Sequence, residues 1–263
     1  MENTARCTLL IIDAQVDFCS PEGALFVPGA EQDIQRLARL ISTHADQIGQ
    51  IIATLDTHQV LDIAHPGFWE NADGQPPAAF TPISYDDICT GKWLPRFETE
   101  YCKTYVRKLE EQGEFTHFIW PEHCLAGSRG AALAEPIATA LVQWTHQTQK
   151  NYRTLAKGEN PLSEHFGVFQ AQIPVENAPE TELNLALLND LTHYEEIWIG
   201  GEARSHCVAT SLKQILRHAP ALAPKITLLT DCTSDVPGLG HLADPIYETA
   251  RQQGVRFLAS TDL

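Results

Sequence analysis

At 263 residues, 43% of them hydrophobic and 20% charged, the chain is long enough to bury a sizeable core as one large α/β domain or two small ones. Its 18 Lys and Arg against 34 Asp and Glu leave a formal net charge of −16, which repels phosphate backbones and anionic lipid and so disfavours nucleic-acid and membrane-surface roles. A neutral small substrate suits that charge better than a highly anionic one. No apolar run approaches the ~18 residues that cross a bilayer, and the N-terminus enters a strand at once, so an untargeted cytoplasmic protein is expected. Seven cysteines with no CxxC argue for reduced thiols rather than a disulfide frame.

In chain order, apolar runs at 8–13, 50–56, 117–120, 152–157, 196–201, 225–231 and 255–260 are short and barely alternate, as strands buried on both faces do. Helical spacing lies between several of them: Ile34, Leu37 and Ile41; Leu133, Ile137, Leu141 and Trp144; Val208, Leu212 and Ile215; and a weaker pattern over 241–253. Strand and helix alternate without a linker, which predicts a parallel sheet in a single domain over 1–263. Residues 57–116 break the rhythm with Pro, Gly and aromatics. About 66–116 reads as an insertion covering the site, because long loops in compact domains are more often functional than idle. A helix over 100–112 forms part of that cover or of a subunit contact, which leaves a homo-oligomer open, or is an ordinary surface helix.

Ligands of open α/β sheets bind beyond the carboxyl ends of the strands, and those ends carry the reactive residues here. Asp13 ends the first run, Asp56 with His58 the second, Trp120 with His123 the third and Lys157 the fourth. Cys207 follows the fifth, and Asp231 ends the sixth. Asp and Lys are rarely buried without partners, so packing alone explains this poorly.

Cys207 opens a helix with Val208, Leu212, Ile215 and Leu216 on one face, where backbone N–H groups and the helix dipole favour a thiolate. The other cysteines, Cys19 and Cys124 among them, open no helix and read as packing residues. Asp13, Lys157 and Cys207 supply a proton acceptor, an ammonium and a thiol, a set able to split an amide; the plainer alternative is a buried Asp13–Lys157 ion pair. Asp56, His58, His65 and His123 form a one-carboxylate, multi-imidazole set that suits Zn²⁺ or Fe²⁺ and is poor for Mg²⁺ or Ca²⁺.

These residues sit in segments that resemble the isochorismatase-like cysteine hydrolases, and within them the nicotinamidases. LLIIDAQVDFCSPEGALFVPGA resembles the opening, TLDTHQVLDIAHPGFW the metal segment, WPEHCLAGSRGAAL the segment of the last metal histidine, KGENPLSEHFGVF the lysine-glycine and GGEARSHCVATSL the nucleophile. The resemblance runs from residue 8 to about 235. It implies a six-stranded, Rossmann-like parallel sheet with helices on both faces and a cis peptide between Glu202 and Ala203. It also implies that Asp13 deprotonates Cys207, that the thiolate attacks a carboxamide and that the N–H groups of Ala203 and Cys207 hold the oxyanion. A metal would hold the pyridine nitrogen or a water bound to it, with Phe18 and Trp120 enclosing the ring and Phe166 and His206 as further pocket residues. The spacing from His58 to His65 is one residue longer than in compact nicotinamidases, and 66–116 and the stretch after Lys157 are longer too. The substrate therefore stays open between nicotinamide and another small amide such as a carbamoyl compound or maleamate. An isochorismatase-type hydrolase would not need Cys207, and a silent binding module would have lost part of the triad.

Overall fold

The computed structural model describes residues 7–263. Strands β1 (Cys7–Ile12), β2 (Ile48–Asp56), β3 (Arg153–Lys157), β4 (Glu196–Gly201), β5 (Ile226–Leu229) and β6 (Arg256–Leu258) pair in parallel as one six-stranded sheet, in the order β6-β5-β4-β1-β2-β3. The chain runs outward from β1 through β2 to β3, then returns to β4 on the other side of β1. A crevice therefore opens where the order reverses, at the carboxyl ends of β1 and β4.

Every described residue of β1 is buried, as its unbroken apolar run predicts. The edge strand β3 departs from that expectation: Arg153, Thr154 and Ala156 are exposed, and Lys157, the charged residue at its end, is the one that is buried. Helices α1 (Ala30–Thr43) and α3 (Glu135–Thr148) pack together, burying Ile34, Leu37 and Ile41 with Ile137, Leu141 and Trp144 at the predicted spacing. α5 (Ala209–His218) packs on α6 (Asp244–Gln252). No helix among the described residues is long and apolar enough to cross a membrane.

The run 117–120 is not a strand of the main sheet. Only His117–Phe118 is extended there, and it pairs antiparallel with Pro82–Ile83. His117 is tied to the Ile63 carbonyl at 3.0 Å and the Trp120 amide to the Ala64 carbonyl at 2.8 Å, so this run belongs to the 63–119 region. That region is folded rather than structureless. Around α2 (Thr99–Gln112) it builds a separate apolar cluster that includes Trp69, Ile83, Ile88, Tyr105, Leu109 and Ile119.

Gly201 ends β4 beside Ile12, with φ at +115°. A Cβ there would collide with the Ile12 carbonyl oxygen, which accepts the Glu202 amide at 2.7 Å. Gly201→Ala is expected to cost about 3 kcal/mol or more, read as a lowered chemical-denaturation midpoint.

Candidate active site and metal centre

Register places the reactive groups. Asp56 pairs directly with Lys157 across β2 and β3, and Asp13 follows the end of β1 between β2 and β4. The buried Lys157 ammonium stands 2.9 Å from Asp13 Oδ2, 2.8 Å from Asp56 Oδ1, 2.9 Å from the His165 carbonyl and 3.7 Å from Cys207 Sγ. Thr54 fixes Asp13 by donating its hydroxyl to Oδ1 at 2.5 Å and accepting the Asp13 amide at 2.9 Å.

Burial would strip Lys157 of its proton, but Asp13 and Asp56 overrule it and hold its pKa well above the usual value. Burial likewise favours the protonated form of Asp56, yet Lys157 and His58 hold it well below the carboxylate range. For Asp13 burial prevails over Lys157, and its pKa rises. Cys207 departs from the sequence expectation in its resting state. It stands in a π-wound turn, Arg204–Val208, just ahead of α5, and burial pushes its thiol well above the usual range despite Lys157. A helix start alone does not make a thiolate when the sulfur is shut away from water. Asp13 and the thiol instead meet at the Lys157 ammonium, so a proton acceptor stands beside the sulfur.

Ligand atoms of Asp56, His58 and His123 lie within 4.8 Å of one another, all buried. His58 Nε2 is 3.1 Å and His123 Nε2 3.5 Å from Asp56 Oδ2. His65 stands outside that tightest group, its ring 5.0 Å from His58 and 5.5 Å from His123, and its buried Nε2 has no partner among the described residues. The Nδ1 atoms are all engaged: His58 with Asp62 at 3.0 Å, His65 with the Gln59 carbonyl at 3.1 Å and His123 with the Pro121 carbonyl at 2.8 Å. Outer oxygens of this kind turn the Nε2 lone pairs inward, the arrangement that metal-binding imidazoles need. Burial disfavours a charged His58, but Asp56 and Asp62 overrule it and raise its pKa, so the cluster draws positive charge. The donor set fits a divalent metal.

One cavity is lined by Phe18, Trp120, His123, Ala203, His206 and Cys207, together with Asp56, Phe166 and Glu164. Trp120 and His206 meet at 5.1 Å and Phe166 and His206 at 5.4 Å between ring centres. His206 is kept neutral by burial, at about 4, and its Nε2 has no partner among the described residues. No residue of 66–116 lines this cavity. That segment reaches it from behind, through Phe80 against Trp120 and Phe115 against His206 and Phe166. A larger groove of about 510 Å³ beside α5 and α6 contains none of the candidate residues. Asp231 lies beyond the end of β5 and bonds Ser260, away from the site.

Several residues of the site escaped the sequence reading. Gln15 grips Asp56 through both its backbone amide, at 2.7 Å, and its carbonyl, at 2.8 Å. Glu164, pushed up to about 7 by burial, presents a carboxyl to the cavity. Asp62 braces His58. The spacing from His58 to Asp62 was the available signal, since an acidic residue near a candidate metal histidine is the usual outer partner.

The site is thus a cysteine, an aspartate and a lysine gathered beside an Asp/His group at the strand ends of an open, six-stranded parallel α/β sheet. No family model matches the chain. It is 26% identical over 250 residues to a nicotinamidase of Saccharomyces cerevisiae, covering 94% of this chain and 97% of that one. It is also 26% identical over 223 residues to a nicotinamidase of Escherichia coli, covering 85% and 80%. The structure of the yeast nicotinamidase bound to the inhibitor nicotinaldehyde superposes with a TM-score of 0.65 at 21% identity, over 96% of this chain and 99% of that one. A Pyrococcus horikoshii pyrazinamidase in complex with zinc gives 0.55 at 18% identity, over 97% and 99%. The chain is thus similar, at a distance, to nicotinamidases and pyrazinamidases.

Removing Lys157 would leave two buried carboxylates facing each other without a cation. Lys157→Ala is expected to cost about 3 to 5 kcal/mol in unfolding free energy, measured by urea titration. Asp62→Asn is expected to leave the fold intact and weaken zinc binding by about 10- to 100-fold, measured by competition with a chromogenic chelator.

Proposed function

We propose that the protein is a cysteine amidohydrolase that converts nicotinamide to nicotinate and ammonia. The observation that carries this reading is the single Lys157 ammonium joining Asp13, Cys207 and Asp56, which couples a nucleophile, its proton acceptor and a metal-ready cluster beside a cavity that Cys207, Asp56 and His123 line. The yeast and Escherichia coli relatives are nicotinamidases, and the yeast protein binds nicotinaldehyde.

Asp13 takes the proton from Cys207 Sγ, and the thiolate attacks the carboxamide carbon to form a C–S bond. Lys157 offsets the negative charge that moves between the two. The backbone amides of Ala203 and Cys207 hold the oxyanion. Asp13 then returns the proton to the amide nitrogen as the C–N bond breaks, and ammonia leaves. Water gives a proton to Asp13 and attacks the thioester carbon; as the C–S bond breaks, Asp13 returns that proton to Sγ, and the acid released ionises to nicotinate. Phe18, Trp120 and Phe166 enclose the ring, and the neutral His206 offers its free Nε2 to a polar group of the substrate. Asp56, His58 and His123, with His65 beside them, would hold a divalent metal, zinc or iron, which supplies a Lewis acid for the pyridine nitrogen or for a water bound to it.

Wild-type protein is expected to release ammonia from nicotinamide, and Cys207→Ala to lower kcat by at least about 10³-fold. Chelation is expected to weaken turnover of nicotinamide. Preference for aliphatic amides with no effect of chelation would replace this reading with that of an amidase for another small amide.

A further inference from the structure

Glu202 immediately precedes Ala203, joined to it by a cis peptide, and its side chain turns into the protein rather than lining the cavity. It meets Asp33 of α1. Glu202 is fully buried and Asp33 is 3% exposed, so two acidic groups share one interior space. Glu202 Oε2 accepts the Ser234 amide at 3.1 Å, while Oε1 has no donor among the described residues. Asp33 Oδ2 accepts the Ser234 hydroxyl at 2.5 Å, and Oδ1 accepts Arg36 at 3.0 Å. Both carboxyls bond the same residue, Ser234, so they lie side by side in the interior, and a proton on one of them relieves their repulsion.

We infer that Glu202 and Asp33 hold a single shared proton, and that this acid pair is a positioning device for the Ala203 amide beside Cys207. The positioning part rests on the amidase reading. Ser234 makes the connection, since its amide goes to Glu202, its hydroxyl to Asp33, and its carbonyl accepts the Arg204 amide at 2.8 Å. On either side, Gly201 donates to the Cys232 carbonyl at 2.8 Å, and Val236 donates to the Ser205 hydroxyl at 3.1 Å. Residues 201–205 and 232–236 are therefore laced together around Ala203. Ionising both carboxyls, or deleting one, releases Ser234 and with it the peptide that follows Ala203.

The surroundings keep the proton in place. Arg36 faces the pair from α1, Cys19 from the helical turn Val16–Cys19, Asp231, Cys232 and Asp235 from the segment after β5, and Tyr247 from α6. Arg36 is half-exposed, and Arg204 is committed to Asp235 at 2.9 Å, so buried cationic charge is scarce. Burial first, then Asp33, push the Glu202 carboxyl well above the usual range, and the Ser234 amide opposes them weakly. A carboxyl raised in the folded state contributes its full stability below its unfolded pKa, and loses it as pH rises toward the folded value. Wild-type stability should therefore decline across neutral and alkaline pH, whereas a glutamine at 202 donates its N–H to Asp33 at every pH.

The test compares metal-loaded wild type, Glu202→Gln and Glu202→Ala by thermal unfolding from about pH 6 to about pH 9 and by ammonia release from nicotinamide. The wild-type Tm should fall with pH more steeply than that of Glu202→Gln, and parallel curves overturn the shared proton. At neutral pH, Glu202→Gln should keep kcat within about threefold of wild type, and Glu202→Ala should lose about tenfold or more with KM within about threefold. Equal losses in the two variants, or a change in KM alone, overturn the positioning role. A wild-type protein that releases no ammonia removes that role together with the amidase reading, and the unfolding curves still decide the shared proton. If Glu202→Ala does not fold, the pH slope and kcat of Glu202→Gln decide the matter.

Discussion

One buried ammonium sets the terms for the rest of the site. Lys157 stands between Asp13 and Asp56, both shut away from water, and nothing else described nearby carries a comparable fixed positive charge. Two interior carboxylates this close would otherwise repel each other and pay the full cost of desolvation. The parallel register follows from that requirement, with Asp56 directly opposite Lys157 and β1 alongside. It also explains why β3, an exposed edge strand, buries its last residue alone.

The same charge organises the chemistry. Lys157 draws Asp56 toward ionisation, which favours a cation among the histidines, and it opposes the burial that keeps Cys207 protonated. The nucleophile and the metal-ready cluster are thus linked through one group rather than merely adjacent. Gln15, Thr54 and Asp62 carry no chemistry of their own, but they remove the freedom of Asp56, Asp13 and His58.

Strand ends were legible in the sequence because apolar runs terminating in Asp, Lys or Cys are hard to explain by packing. The faces of α1 and α3 were legible from their 3.6-residue spacing. The run 117–120 was misread as a strand of the main sheet because a short apolar stretch looks the same whether it joins a large sheet or a two-residue pair. The resting thiol of Cys207 was also hidden, since local motif favours an anion while burial, a property of the whole fold, opposes it. Long-range neighbours such as Glu202 and Asp33, brought to Ser234 from the segment after β4 and from α1, leave no trace in local spacing.

Mass spectrometry of the protein quenched during turnover of nicotinamide, followed by peptide mapping, tests the central chemistry most directly. Catalysis through Cys207 predicts a nicotinoyl thioester on the peptide that contains Cys207 and on no other cysteine peptide. Turnover with no acylated enzyme, or with the acyl group on a different cysteine, would contradict it.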